Sequence, residues 1–249
     1  HYKNKDVWLV ARLYDADSNY FASYMINSAG LDTVPVLSQS NIQYTYSSAT
    51  HSYKCREIKI SQDGNWLISL YQAPIDTVEF CHLNTVTGQI NSLFTFIPGK
   101  YNNHICRPNS AEFSIDSKFL YISCDRIGYP DQIDNFQYDI SSPDSLQVVQ
   151  SETIIGTLNH RSWIQMGPDF KIYGTHMSVD SLFVINDPTI KGLGCNFIPN
   201  AISTAGKMTI MDLPQFIQRY KVYIHHNGQC QNTVFNFSGD IWPPPDSVH

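Results

Sequence analysis

Three runs in this sequence place an imidazole and a guanidinium ahead of an aspartate. His51 and Arg56 precede Asp63, His104 and Arg107 precede Asp116, and His160 and Arg161 precede Asp169. Cationic side chains grouped in this way hold carboxylates through charge-assisted hydrogen bonds. Brought together, the three runs predict a rim that binds an anionic sugar or a partner's carboxylate. A plainer use is open to the same residues, in which each bonds the backbone of a neighbouring structural unit. Acids are sparser. Glu57, Glu79, Glu112 and Glu152 are the four glutamates. Glu57 and Glu112 both sit on strands just before the repeated turn and read as exposed strand residues. A glycosidase would need two acids facing one site. Asp15-Ala16-Asp17-Ser18-Asn19 opens like a calcium loop, but Tyr20 and Ile26 stand where an EF-hand needs Gly and Glu. Asp125, Asp131 and Asp134 crowd one loop with Gly128 and Pro130, a set that a surface calcium or a solvated turn would use. Nucleophile-elbow, zinc-protease, P-loop and dinucleotide-binding signatures are all missing. No metal, cofactor or catalytic residue is assigned on this reading.

The elements that would position the rim are set by a repeat. Asp63, Asp116 and Asp169 follow one another at intervals of 53 residues. Each is preceded by a short alternating run: Ile58-Lys59-Ile60, Ala111-Glu112-Phe113 and Ile164-Gln165-Met166. A period of two marks a half-buried strand. Each aspartate begins a turn, where its carboxylate can bond the following amides. A second strand follows at Trp66 to Tyr71, Phe119 to Ser123 and Lys171 to Thr175. Third strands are expected at Val78–Leu83, Asn135–Ile140 and Leu182–Ile185, and a fourth near Ile90 to Phe96. Four strands per unit of about 50 residues describe a propeller blade.

The chain is therefore expected to be all-β, with blades of four antiparallel strands. Blade boundaries fall near 1–50, 51–103, 104–157 and 158–212, with a closing segment to 222. The first unit lacks its innermost strand. This predicts a partial ring of a six- to eight-bladed propeller, a fragment whose other blades precede His1. Residues 223–249 read as a linker, loop-like at His225 to Cys230, and then the first strand of an Ig- or PKD-like sandwich. The one helical candidate is Pro214 to Gln218.

Composition narrows the function. Lys and Arg number 16 against 22 acids, for a formal charge of −6. No basic stripe is available to neutralise phosphates, so nucleic acid is not an expected partner. Hydrophobic residues make up 42%, enough for a sizeable core, yet no apolar run reaches the length of a membrane helix. The six cysteines form no C-x-x-C pair. Buried free thiols are the plain reading. Cys55 and Cys106 lie 8 and 10 residues before their repeat aspartates and are the candidate disulfide. Cys195 with Cys230 is the other option.

His1-Tyr2-Lys3-Asn4-Lys5-Asp6-Val7-Trp8-Leu9-Val10 resembles the H-x-N-G-K-D-x-W-V-V phrase of propeller regions in large Bacteroidota surface proteins. Ile58 to Leu67 is similar to their I-S-P-D-G-x-x-L blade phrase. Gly194-Cys195-Asn196-Phe197, with Asp212-Leu213-Pro214-Gln215-Phe216-Ile217-Gln218, resembles their C-N-Y … G-L-P-N-F-I-Q ending. Asn4, Asp212 and Gln215 depart from that pattern. The resemblance implies export by type IX secretion, a gliding-motility-associated C-terminal domain outside this chain, and an extracellular or outer-surface location.

The function expected from these readings is a non-enzymatic binding and display module of a secreted multidomain protein, in adhesion or gliding motility. Its partner would be a protein or glycan at the cell surface, and the secretion machinery would engage other regions. The alternative is a propeller-type domain that cleaves or binds polysaccharide enzymatically. Five triplets of Asp, Ser or Thr, and an aliphatic residue put candidate O-glycosylation on Thr33, Thr77, Ser145, Ser181 and Ser247. Turn chemistry explains the same triplets. A glycan requires exposure, so these sites are expected at exposed loops or strand ends.

Overall fold

A computed structural model of the chain describes residues 6–14, 19–42, 55–72, 75–129, 131–213, 221–227 and 236–242. It is nearly all β, and four antiparallel sheets of four strands follow one another along the chain. The first holds β1 (Val7–Tyr14), β2 (Asn19–Asn27), β3 (Gly30–Leu31) and β4 (Val36–Gln39), with β2 central. The second runs β5 (Cys55–Ile60), β6 (Trp66–Tyr71), β7 (Thr77–Leu83) and β8 (Ile90–Phe96) in sequence order. The third has β9 (Cys106–Phe113), β10 (Phe119–Arg126), β11 (Ile133–Asp139) and β12 (Thr153–Leu158). The fourth has β13 (Ser162–Met166), β14 (Ile172–His176), β15 (Ser181–Ile185) and β16 (Phe197–Ser203). The last three sheets are four-strand meanders of the propeller-blade type, whereas in the first β3 and β4 both pair with β2. After them β17 (Lys221–Asn227) pairs with β18 (Asn236–Trp242) as a hairpin. The segment from His225 to Asn227, read as loop, is therefore strand.

The repeated aspartates form the first hairpin turn of three sheets. Ser61 and Ser114 each donate to the aspartate two residues on, and each accepts the amide five residues on, from Trp66 and Phe119 at 2.9 Å. The residue after each aspartate takes a left-handed conformation, with φ of 78° at Gly64, 58° at Ser117 and 65° at Phe170. The third turn has Gly167 in place of the serine and is one residue shorter, Gly167 N donating to Lys171 O where Ser61 N and Ser114 N donate to the carbonyl five residues on.

The core lies between successive sheets. Phe21 and Val10 meet Leu67, Cys81, Leu83 and Ile90 between the first two. Ile68, Leu70 and Phe80 meet Phe113, Ile122 and Phe136 between the second and third. Tyr121 and Ile133 meet Ile164, Phe183 and Ile185 between the third and fourth. Leu67 and Ile68 are neighbours in sequence but serve opposite layers, because strand side chains alternate between faces. That is why β6 is buried from Leu67 to Tyr71 and does not alternate between buried and exposed.

The sheets turn about a common axis. Lys59 on β5 donates from Nζ to Glu112 on β9 at 3.2 Å and to Gln165 on β13 at 3.1 Å. A side chain of the second sheet thus touches the fourth, which a linear stack would forbid. Lys59, Glu112 and Gln165 recur at 53-residue intervals, so they are one repeat position on three innermost strands.

Two further readings are corrected. Ser145–Gln150 is a helix, α1, between β11 and β12. Its N-cap Asp144 accepts from Gln147 N at 2.8 Å. The expected helix at 214–218 lies outside the described residues. Glu57 and Glu112 are not exposed strand residues: their side chains are 19% and 3% exposed, and Glu112 occupies the repeat position of Lys59.

Candidate functional site

The polar residues of the innermost strands fall into two groups, an inner ladder and an outer cleft. In the ladder Lys59 lies 3.2 Å from Glu112 and 3.5 Å from Glu57. Glu112 also accepts from Met166 N, and Glu57 accepts from Ala111 N, each in the following sheet. These carboxylates stitch neighbouring sheets together by satisfying amides that have no partner in their own ladder. Burial pushes the Glu57 carboxyl up to about 7, against the pull of the Lys59 ammonium and the Ala111 amide. Lys59 is raised above its ordinary value, its two carboxylates outweighing burial.

Glu57 therefore gives a pH-dependent stability with a definite sign. Its folded value lies above the unfolded one, so the unfolded chain releases this proton first as pH rises. The stability held by the protonated form is present below the usual glutamate range and lost between there and about pH 7. Glu57→Gln keeps an acceptor for Ala111 N without the charge. Its melting temperature should exceed that of the parent at pH 8, by a stability of about 2 kcal/mol, and match it at pH 4.5. Equal melting of the two at pH 8 would show that Glu57 ionises without cost.

The outer cleft encloses about 420 Å³ beside the β10–β11 loop. It is lined by Arg107, Arg126 and Arg161, by Asp125 and Asp131, and by Ile127 and Tyr129. Strand geometry explains the gathering. Arg107 is the second residue of β9 and faces Asp125 on β10, Arg126 closes β10 one residue on, and Arg161 lies just before β13 of the next sheet. The Arg126 guanidinium stacks 4.2 Å over the Tyr129 ring. Tyr129 and Ile127 are about half exposed. Gly128 (φ 85°) and Asp131 (φ 66°) form the left-handed bends that carry the loop round.

Each rim arginine also has a structural partner. Arg107 Nε lies 3.0 Å from Asp76 and Arg161 Nε 3.1 Å from Asp125, both carboxylates belonging to the preceding sheet. Arg56 Nε donates to the Asn109 carbonyl of the following sheet at 3.4 Å and sits 5.5 Å from the Trp163 ring. The bonding between units foreseen as the plainer reading is thus present, to side chains as well as backbone. A guanidinium holds five N–H donors, and these contacts use only Nε.

The six residues predicted for the rim separate. Arg107 and Arg161 share the cleft, while Arg56, His104 and His160 do not line it, and His51 lies outside the described residues. His104, expected on the rim, has its Nδ1 tied to Asp134 Oδ2 at 3.2 Å within its own sheet. His160 is exposed beside buried His176, whose value is lowered first by burial and then by the charge of His160. Arg126 and Tyr129 went unrecognised in the sequence, since only the folded loop brings them to the next sheet.

The loop acids do not converge. Asp134 is taken by His104 and by Thr157 Oγ1 at 2.8 Å, and Asp125 by Arg161 and Asn109. Among the described residues no three His, Cys, Asp or Glu are placed to hold a metal ion. The remaining glutamates are also buried. Glu79 accepts from Tyr71, Ser40 and the Asn41 amide, and Glu152 from Tyr138, Asn102 and the Gly99 amide.

The proposed Cys55–Cys106 disulfide is corrected. Both thiols are free, with Cys55 Sγ 3.0 Å from Ser69 Oγ and Cys106 Sγ donating to the His104 carbonyl at 2.7 Å. Cys195 is free and buried, and Cys230 lies outside the described residues. Among the glycosylation candidates, Thr77 and Ser181 are also corrected. They are 6% and 7% exposed, and their hydroxyls bond Ile75 O and Asn200 Oδ1, leaving no room for a sugar. Thr33 and Ser145 are exposed, and Ser247 is not described. At both exposed sites the preceding aspartate does turn chemistry, Asp32 accepting from Val34 N and Asp144 capping α1.

No protein-family model matches the chain. One stretch of 89 residues is 35% identical to the DNA polymerase zeta catalytic subunit of Schizosaccharomyces pombe, covering 34% of this chain and 6% of that protein. Among solved structures, a periplasmic gluconolactonase from Pseudomonas aeruginosa shares 13% identity at a TM-score of 0.43, with 71% of this chain and 49% of that one covered. The β-propeller domain of Cps50 (Swd1) from a Myceliophthora thermophila source shares 10% at a TM-score of 0.43, covering 82% and 59%. The chain thus spans about half to three fifths of the solved chains it resembles.

Proposed function

We propose that this chain is the binding part of a displayed, non-enzymatic module, and that its outer cleft takes a carboxylated sugar chain. The observation that carries the proposal is the convergence of Arg107, Arg126 and Arg161 around the exposed Tyr129 ring. A guanidinium fork suits a planar carboxylate, and an aromatic face suits the apolar side of a sugar ring. The resemblance of Gly194–Phe197 and of residues 212–218 to exported Bacteroidota phrases supports placement at the outer cell surface, in adhesion or motility.

The test is calorimetric titration of the full chain with oligogalacturonate and with the neutral galactose oligomer. Binding of the acidic oligomer alone is expected, weakened about tenfold by Arg161→Ala, as befits loss of one charge-assisted contact. Equal binding of the neutral oligomer, or an unchanged constant in Arg161→Ala, would overturn the reading. Release of shortened oligomers would favour the enzymatic alternative.

A further inference from the structure

Cys106, one half of the predicted pair, has another cysteine, Cys124, on the adjacent strand. Cys106 opens β9 and Cys124 lies near the end of β10, and both are fully buried in one apolar layer. In the β9–β10 register Cys124 faces Pro108 and Arg126 faces Cys106. The two cysteines are therefore diagonal neighbours on the same face of an antiparallel pair. Diagonal positions sit about 7–8 Å apart, with their Cβ atoms somewhat closer, so a disulfide, which spans Cα atoms up to about 6.8 Å apart, requires the two strands to be drawn together here. A register shift between Ser123 and Cys124 bends the strand at this point, and such bulges increase local twist. Both are free thiols in this structure, with Cys106 Sγ donating to the His104 carbonyl at 2.7 Å, and burial holds Cys124 well above the ordinary thiol value.

We propose that Cys106 and Cys124 form an intramolecular disulfide when the chain folds in an oxidising compartment. The bond would tie the first residue of β9 to β10 directly beneath the cleft. Its neighbours in sequence, Arg107 on one side and Asp125 and Arg126 on the other, are cleft residues. The inference goes beyond the ligand proposal and does not depend on it.

The reaction is thiol–disulfide exchange with a small-molecule disulfide such as oxidised glutathione. One protein thiolate attacks the oxidant and releases one glutathione thiolate. The second protein thiolate then attacks the mixed disulfide and releases the other. One S–S bond breaks and one forms, and the protein's two electrons and two protons leave as two glutathione thiols. The exchange belongs to the folding chain, because both sulfurs are buried once the sheets close.

The full chain is refolded in a glutathione redox buffer, alkylated without reduction and digested for mass spectrometry. A peptide pair linking Cys106 and Cys124 is expected, with Cys55, Cys81 and Cys195 alkylated. The refolded protein should melt several degrees above the same sample after reduction, as closure of a short loop predicts. Cys124→Ser should abolish that difference, while Cys81→Ser should keep it. Alkylation of Cys106 and Cys124 to the same extent as Cys81, or a bridge from either to another cysteine, would overturn the proposal.

Discussion

Lys59→Met should be the most damaging single change on the innermost strands. The substitution fills a similar volume but removes the ammonium shared by Glu112, Glu57 and Gln165. Glu112 would remain as a buried charge with only amide partners. Breaking a buried ion pair from one side costs roughly 3–5 kcal/mol, because the abandoned charge keeps its desolvation cost. A drop in melting temperature of about 10 °C is expected for a chain of this size. Glu112→Gln placed in the Lys59→Met background should recover part of the loss, since the amide still accepts from Met166 N. The two single losses summing in the double variant, with no recovery, would show that the residues act independently and that the ladder does not join the sheets.

Gly99→Ala should be nearly as costly, for a reason rooted in backbone. Gly99 has φ of 76°, in the left-handed region that residues with a Cβ disfavour. A Cβ built there would stand 1.9 Å from the carbonyl oxygen of His104. That oxygen belongs to the main chain and cannot swing aside as a side chain could. His104 N donates to Gly99 O at 2.8 Å, so the close approach is part of the loop's own closure. Gly99 N also donates to Glu152, which anchors the end of the second sheet on the third. A loss of at least ~3 kcal/mol is expected from strain and clash together. Urea unfolding of the variant is the measurement. A change below 1 kcal/mol would mean the 97–105 loop is free to rebuild.

Much of this architecture was legible because its signals are local. An Asp-turn repeated every 53 residues, with alternating runs before it and apolar runs after it, fixes a hairpin without reference to the rest of the chain. Helix α1 was equally local, since Asp144 with Gln147 three residues on is a helix-start pattern, but the surrounding turn residues masked it. The inner ladder was present as Lys59, Glu112 and Gln165 at equal spacing, and went unread because three different residue types occupy one position. Burial of the glutamates could not be read from the chain, because it depends on amides of the neighbouring sheet. The cleft is the least local feature. Arg107 and Arg161 belong to the repeat, but Arg126 and Tyr129 belong to a single loop, and only the turn between sheets brings the two sets together. The same reasoning explains the disulfide. Spacing to the repeat aspartate links Cys55 with Cys106 across two sheets, whereas strand register sets Cys106 diagonal to Cys124 within one.

The claim that the outer cleft is the binding site is tested most directly by amide hydrogen exchange of the full chain with and without saturating oligogalacturonate. Slower exchange confined to residues 126–132 and to the segment around Arg161 is the predicted result. Unchanged exchange there, or slowing confined to another face of the sheets, would contradict it.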